Sequence, residues 1–201
     1  MKIAVANIKG GVGKSTIANL LSQYLKLPVK EYDEFQDGGI FRPQEDLTAS
    51  GQADKWIADT GGYLGKKLEK VLREADAVVV PLQPSPRDFV PTVSFLEWLL
   101  GFYDGKVLVT ANRVANEKEA EETKEALKKA LDEMDGEIRA DVRFSYIPNL
   151  KSIQTWELER RRWVDFLKKE YWNRSQRRAA EHVRDFCEAM KEWLEGEEEN
   201  E

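Results

Sequence analysis

The stretch that decides the fold is Lys9-Gly10-Gly11-Val12-Gly13-Lys14-Ser15-Thr16. An apolar run, Ile3-Ala4-Val5-Ala6, precedes it, and apolar residues at helical spacing follow it: Ile17, Leu20, Leu21, Tyr24 and Leu25. A strand, a glycine-rich turn and a helix in this order predict a phosphate-binding loop. The glycines let successive backbone N–H groups point at an anion, and the helix N-terminus adds its positive end.

Two side chains of this loop have the chemistry for a nucleotide and its metal ion. Lys14 is placed to reach the β- and γ-phosphates, and the Ser15 hydroxyl is placed to ligate Mg²⁺. The loop departs from the general pattern G-x-x-x-x-G-K-[ST] at its first position, where Ile8 stands. It also carries a second lysine, Lys9, directly before the glycines.

The form K-G-G-V-G-K-S-T resembles the deviant Walker A motif of the ParA/MinD family of ATPases. The resemblance implies that residues 9–16 bind ATP, and that Lys9 reaches a partner subunit's ATP as a catalytic group in trans. It covers roughly residues 1–150, and the family members nearest in size are small plasmid-partition ATPases. Catalysis would then fall to Lys9, Lys14 and an acidic residue farther along the chain.

Two acidic positions match the family's catalytic and metal sites. A short strand opened by residues 27–29 leads to Glu31-Tyr32-Asp33, and we align Asp33 with the carboxylate that orients the attacking water. An ordinary acidic loop is the alternative. An apolar strand then ends in Asp59, which resembles the Walker B acid that holds Mg²⁺ through a water. Gly61-Gly62 stand where relatives have two prolines, and predict a mobile turn.

The next segments alternate between helix and strand. Leu64, Leu68, Val71 and Leu72 predict one face of a helix. The runs at 77–82 and 106–110 predict strands buried on both faces. Between them, Gln83 to Asp88 resembles the P-x-Q-P-S-P-x-D segment of small ParA proteins, and Ser85 with Asp88 also fits a helix-capping pattern.

Three residues near the ends of the last two strands are implied as adenine contacts by the same resemblance. Asn112 would hydrogen-bond the base, Arg113 would stack on it, and Pro148 would precede a loop packed against it. Asn in a turn and Pro at a strand end also need no ligand, so the purely structural interpretation stays open.

The C-terminal part combines aromatic and basic residues. From residue 151 to 178 there are nine Lys/Arg and four Asp/Glu, a net charge of +5, which leaves −11 for the rest of a chain of net charge −6. Several family members bind DNA without sequence preference through such helices, and a solvated face is the alternative. The candidate DNA-binding residues are Arg160, Arg161, Arg162, Lys168, Lys169, Arg174, Arg177 and Arg178.

These features predict an α/β, three-layer P-loop NTPase-like fold with a mostly parallel sheet of about six strands flanked by helices. We expect one ATPase domain over residues 1–196 and an acidic tail over 197–201. The single cysteine, Cys187, excludes an intramolecular disulfide and a C-x-x-C metal or cluster site, which argues against cluster-handling relatives. A cytoplasmic, nucleoid-associated protein is expected, with no membrane contact.

The resulting functional hypothesis is a ParA-type partition ATPase. It would bind ATP and Mg²⁺, form an ATP-dependent homodimer, bind nonspecific DNA, and hydrolyse ATP slowly until a centromere-binding, ParB-like partner stimulates it. The main alternative is a MinD-like membrane-associated positioning ATPase. Five glutamates among the last seven residues disfavour contact with anionic lipid. An amidoligase-type synthetase is a further alternative, but no substrate pocket can be read from the sequence.

Overall fold

The structure, a computed structural model, describes residues 1–32, 54–149 and 174–196. The strands in these ranges are β1 (Lys2–Val5), β2 (Val29–Tyr32), β3 (Trp56–Thr60), β4 (Ala77–Leu82), β5 (Lys106–Val114) and β6 (Asp141–Pro148). The helices are α1 (Lys14–Leu25), α2 (Lys66–Glu74), α3 (Pro86–Leu100), α4 (Glu117–Asp132) and α5 (Arg174–Glu195). None of these helices has the length and apolar character that a membrane crossing requires.

The strands form one parallel sheet in the order β2-β3-β1-β4-β5-β6. From β1 the chain first builds the side that carries β2 and β3, then crosses β1 to build the side that carries β4, β5 and β6. This reversal opens a crevice at the carboxyl end of β1, where ligands of open α/β sheets bind. The phosphate loop begins there, so the topology places it at the centre of the sheet edge.

Side chains of the strands alternate between two helical layers. Ile3 and Val5 belong to a buried cluster with Ile17 of α1 and Phe186 of α5. The intervening Ala4 belongs to a second cluster, which is covered by α2, α3 and α4. Because successive strand residues point to opposite faces, one apolar run serves both layers. The predicted three-layer α/β fold with a six-stranded parallel sheet is confirmed.

Two local predictions were wrong in their boundaries. Leu64 was expected on the buried face of a helix, but α2 begins at Lys66 and the Leu64 side chain is 48% exposed. Gly65 is extended rather than helical, so the helix starts after it. The strand expected to end at Thr110 continues to Val114, because hydrogen bonding to β6 persists through a register shift between Asn112 and Val114.

Trp193 fixes the carboxyl-terminal end of α5 to the amino ends of β5 and β6. Its indole N–H donates to Asp141 Oδ2 at 2.8 Å, and its backbone carbonyl accepts from Lys106 Nζ at 2.7 Å. The Arg143 guanidinium lies 4.8 Å from the centre of the indole ring, within range of a cation–π contact. The residue is 8% exposed, so it contributes both apolar burial and polar anchoring.

Replacing this indole tests how much the anchor stabilises the fold. We expect Trp193→Ala to lower the free energy of unfolding by about 3 kcal/mol, because the change leaves a cavity and removes the Asp141 hydrogen bond. Urea denaturation followed by circular dichroism measures the loss. Glu192→Ala, at the exposed neighbouring position, is the control and should change it by less than about 0.5 kcal/mol. Equal effects of the two variants would contradict the anchoring role.

Candidate nucleotide-binding site

The loop between β1 and α1 has the backbone shape of an anion cradle. Gly11 and Gly13 have φ values of 79° and 104°, in the left-handed region that favours glycine. Among the described residues, no atom beyond the adjoining residues of the chain lies within 4 Å of the point where a Cβ at Gly10 or Gly11 would stand, so this part of the structure leaves the rim of the loop open. At Gly13, by contrast, a Cβ would lie 2.2 Å from Asn112 Nδ2. The loop is therefore open at Gly10 and Gly11 and closely packed against Asn112 at Gly13.

Asn7 connects the start of this loop to β4 and α3. Its Oδ1 accepts from the Lys9 backbone N–H at 2.9 Å. Its Nδ2 donates to the Pro81 carbonyl at 2.7 Å and to Thr92 Oγ1 at 2.8 Å. Asn7 is fully buried, and the desolvation cost of its amide is offset by these bonds. Asn7 was not among the predicted site residues, although a polar residue directly after a buried strand was a usable signal.

Two further amides hold the middle of the loop. Asn112 Nδ2 donates to the Val12 carbonyl at 3.0 Å, and Gln83 Nε2 donates to the Gly11 carbonyl at 2.9 Å. Asn112, predicted to contact adenine, is 7% exposed and lies against the phosphate loop itself. Its contact with the base remains a prediction. Gln83 belongs to the segment that resembled small ParA proteins, but its contact with the loop was not predicted.

Lys14, Ser15 and Asp59 come together at the first turn of α1. Lys14 Nζ donates to the Lys9 carbonyl at 3.0 Å across the loop. Ser15 hydrogen-bonds the Asp59 carboxylate, and Asp59 pairs in register with Val5 at the end of β1. A hydroxyl and a carboxylate beside an ammonium fit the predicted Mg²⁺ and phosphate ligands, with Asp59 acting through water.

The two charged groups of this site are both disfavoured by their surroundings. Burial raises the pKa of Asp59, against the opposing effects of the Ser15 hydrogen bond and the Lys14 charge, and Glu31 raises it further. Burial likewise lowers the pKa of Lys14, although Asp59 counteracts this shift. For both groups, the desolvation caused by burial shifts the pKa more than the attraction between the two charges does. A bound phosphate and a cation would supply the missing counter-charges.

Lys9 directs its ammonium away from its own loop. Its Nζ lies 3.4 Å from Asp88 Oδ1 in the first turn of α3. Ser85, the N-cap residue, donates its hydroxyl to the other Asp88 oxygen at 2.7 Å and makes no side-chain bond to a helix N–H. The helix does start after Ser85, but the predicted capping contact is replaced by this hydroxyl–carboxylate bond.

The turn after Asp59 approaches the phosphate loop closely. A Cβ at Gly62 would lie 3.0 Å from the Ile8 carbonyl oxygen. Such a distance is tighter than most real Cβ contacts, and the neighbour is backbone, which cannot swing aside. Glycine at position 62 therefore permits the close contact between the two loops. This steric requirement is a second reason for glycine here, besides the predicted mobility of the turn.

The remaining predicted nucleotide contacts lie at the same edge of the sheet. Arg113 is exposed and has a φ of 62°, at the register shift in β5. Pro148 pairs with Val114 and lines a cavity of about 400 Å³ together with Tyr146 and His182. His182, on α5, lies with its ring centre 5.9 Å from that of Tyr146. A base-binding role for Arg113 and Pro148 remains a prediction.

Only part of the predicted DNA-binding set can be placed. Arg174, Arg177 and Arg178 are exposed on the first two turns of α5. Arg178 also forms an ion pair with Glu117 of α4, with an N–O distance of 3.2 Å. Asp33 and five of the basic residues lie outside the described residues: Arg160, Arg161, Arg162, Lys168 and Lys169.

No protein-family model matches the chain, and no curated protein matches it by sequence. Among solved structures, the cell division ATPase MinD from Pyrococcus furiosus gives a TM-score of 0.64 at 14% identity, over 96% of this chain and 98% of that one. The Cyanothece McdA–ATP complex gives 0.61 at 15% identity, over 94% and 96%. This chain shares the fold of the ParA/MinD ATPases.

A third ParA/MinD structure is that of pNOB8 ParA bound to nonspecific DNA. It gives a TM-score of 0.53 at 13% identity, over 69% of this chain and 77% of that one. The predicted resemblance to the ParA/MinD family is therefore confirmed at the level of the fold. The structures compared are of ATPases, one of them in complex with ATP.

The partly buried charges of Lys14 and Asp59 predict a gain in stability when the Asp59 charge is removed. The folded-state pKa of Asp59 is raised, so its ionised form opposes folding near neutral pH, and this opposition fades as pH falls through that pKa. Asp59→Asn should therefore raise the melting temperature of the nucleotide-free protein, by about 2–4 °C for each kcal/mol recovered.

Thermal unfolding at pH 7 checks this expectation, and the gain should shrink at acidic pH. Glu74→Gln, an exposed carboxylate on α2, is the matched control with no expected change. A lower melting temperature for Asp59→Asn at pH 7 would show that attraction to Lys14 outweighs desolvation.

Proposed function

We propose that the chain is a ParA-type DNA-partition ATPase, which binds ATP and Mg²⁺ between two copies and binds nonspecific DNA as that dimer. The observation that carries the proposal is the placement of its two loop lysines. Lys14 lies within the loop, bonded to the Lys9 carbonyl, whereas the Lys9 ammonium lies outside it, against α3. A second lysine that does not serve its own loop supports a role in the site of a second copy.

The nucleotide is assigned to the loop of residues 9–16. Its N–H groups and Lys14 would hold the phosphates, while Ser15 and, through water, Asp59 would hold Mg²⁺, which supplies neutralisation of the developing charge. Lys9 of the other copy would stabilise the same charge in hydrolysis. Asp33 would orient the attacking water. Asn112, Arg113 and Pro148 would contact adenine at the β5 and β6 end of the site.

The DNA surface is assigned to the basic residues before and within the start of α5. Arg174, Arg177 and Arg178 share one helix face by their spacing and are exposed. Arg178 and the cavity near Pro148 lie at the same sheet edge as the phosphate loop. A dimer formed at this edge would bring two sets of phosphate contacts together, and the pNOB8 ParA structure gives a precedent for DNA binding on this fold.

The competing function is that of a positioning ATPase of the MinD type. The fold similarity to a cell division ATPase MinD is at least as high as that to pNOB8 ParA, so fold alone does not separate the two functions. A ParB-like partner that stimulates hydrolysis belongs to the partition proposal, and nucleoid association would follow from DNA binding.

The deciding experiment measures binding to a nonspecific DNA duplex without nucleotide, with ADP, and with ATP plus Mg²⁺, each at two salt concentrations. Binding that requires ATP and weakens with salt supports the partition function, because phosphate contacts release counterions. The same three nucleotide states with anionic liposomes form the second arm. ATP-dependent binding to liposomes without binding to DNA would overturn the partition proposal in favour of the MinD-type function.

The role of Lys9 predicts a specific loss in one variant. Lys9→Ala should abolish ATP-dependent dimerisation, because the two copies lose their contact with each other's nucleotide. Sedimentation velocity with ATP and Mg²⁺ measures it. Lys67→Ala on the exposed face of α2 is a matched loss of one positive charge and should leave the dimer intact. A stable Lys9→Ala dimer with ATP would contradict the role in trans.

The described arginines of α5 predict a change in salt dependence. Replacing Arg174, Arg177 and Arg178 together by alanine should weaken DNA binding on every sequence and reduce the slope of log K against log salt by about 5 for the dimer, close to 0.9 for each of its six lost contacts. Fluorescence anisotropy over a salt series measures the slope. The control removes three exposed lysines of α4, on the opposite face of the sheet: Lys124, Lys128 and Lys129. Equal slopes for the two triple variants would remove the DNA role from α5.

A further inference from the structure

In the Lys9–Asp88 ion pair, the carboxylate is held in place and the ammonium is free to rotate away. Both side chains are partly buried, 24% exposed for Lys9 and 16% for Asp88. One Asp88 oxygen accepts from the Ser85 hydroxyl at 2.7 Å, and the Asp88 backbone carbonyl accepts from Thr92 Oγ1 at 2.7 Å. The carboxylate is thus fixed on α3, whereas the lysine ammonium stands at the end of a long, rotatable chain.

The backbone of Lys9 is fixed to the same helix by a separate route. Its N–H donates to Asn7 Oδ1 at 2.9 Å, and Asn7 Nδ2 donates to Thr92 Oγ1 at 2.8 Å. Thr92 therefore connects both members of the ion pair, through its hydroxyl, to one point on α3. With both backbones held, the Lys9 ammonium can leave Asp88 by rotating its side chain while the loop keeps its shape.

We propose that Asp88 is a positioning residue for Lys9, which holds the ammonium within its own subunit until the nucleotide of a second subunit competes for it. This inference rests on the function proposed above, in which Lys9 acts in trans. A dimer then requires the ion pair to open in both copies. The apparent ATP requirement for dimerisation therefore rises in inverse proportion to the fraction of chains whose lysine is free. Asp88 thereby keeps chains monomeric at low ATP concentration.

The first test probes the ion pair without any need for dimerisation. The rate of acylation of each lysine by a water-soluble activated ester is measured by mass spectrometry on the nucleotide-free protein. Asp88→Asn should accelerate modification of Lys9 by about threefold or more. The neutral amide lacks the negative charge that pairs with the Lys9 ammonium and holds it against α3. Asp88→Glu, which keeps the charge, should restore a rate near that of the wild type. An unchanged Lys9 rate in Asp88→Asn would overturn the inference.

The second test measures its consequence for assembly. Sedimentation velocity over an ATP series gives the ATP concentration at the midpoint of dimerisation. The ADP affinity of each variant is measured on the same samples, and the midpoint is divided by the fold-change in the ADP dissociation constant to correct for any damage to the loop. Asp88→Asn should lower the normalised midpoint by about three- to tenfold. Glu97→Gln, an exposed carboxylate farther along α3, is the control and should leave it unchanged. A midpoint that stays the same or rises in Asp88→Asn contradicts a holding role.

The two tests separate this inference from the proposed function. If the wild-type chain binds ATP but never dimerises, the proposed function fails, and the acylation rates still report whether Asp88 holds Lys9. If the wild type dimerises and Lys9→Ala does not, the trans role stands. The midpoint of Asp88→Asn then decides the positioning role alone.

Discussion

A loop that keeps backbone N–H groups free for an anion cannot pair all of its carbonyls with them, so other parts of the chain must hold it. Here three side-chain amides do so. Asn7 fixes the N–H of Lys9, Gln83 binds the carbonyl of Gly11, and Asn112 binds the carbonyl of Val12. With the carbonyls of Gly11 and Val12 bound by side chains and the rim of the loop open, the other backbone N–H groups of the loop are available to an anion. The parallel sheet matters to function because it brings these amides, from strand ends far apart in sequence, to one place.

The site is built at a cost in stability. Lys14 and Asp59 are each shifted toward their neutral forms, with burial as the main cause, although they attract each other. The packing of α1 on β1 and β3 partly buries both groups. The same packing strengthens any interaction with a phosphate and a metal ion. Without ligand, Lys14 and Asp59 compensate each other only in part, and a nucleotide with its cation would balance both. The site is therefore pre-organised for such a ligand at the expense of the stability of the fold.

The local parts of this account could be predicted from the sequence. The stretch Lys9–Thr16 with its flanks indicated β1, the loop and α1, and the alternation of apolar runs indicated the parallel sheet. Asp59 lies beside Ser15 and Lys14 near the end of β3, a strand that its apolar run indicated locally, and its part in metal binding remains a prediction. The boundaries that failed, at Leu64 and beyond Thr110, depended on one extended glycine and on pairing with a neighbouring strand.

The supporting contacts of the site could not be predicted in the same way. Asn7 reaches Pro81 across 74 positions, and Asn112 reaches Val12 across 100. Neither periodicity nor a motif encodes which amide will meet which carbonyl at that separation. The Lys9–Asp88 pair is of the same kind: each residue was singled out within its own motif, and only the fold brings the two motifs together.

The central claim is that the loop supported in this way binds a nucleotide with its metal ion. Isothermal titration calorimetry of the wild-type chain with ATP, in the presence and absence of Mg²⁺, tests it most directly when paired with Lys14→Ala. We expect one ATP per chain, tighter binding with Mg²⁺, and loss of that binding in Lys14→Ala with the fold preserved. An ATP affinity that neither Mg²⁺ nor the Lys14 substitution changes would contradict it.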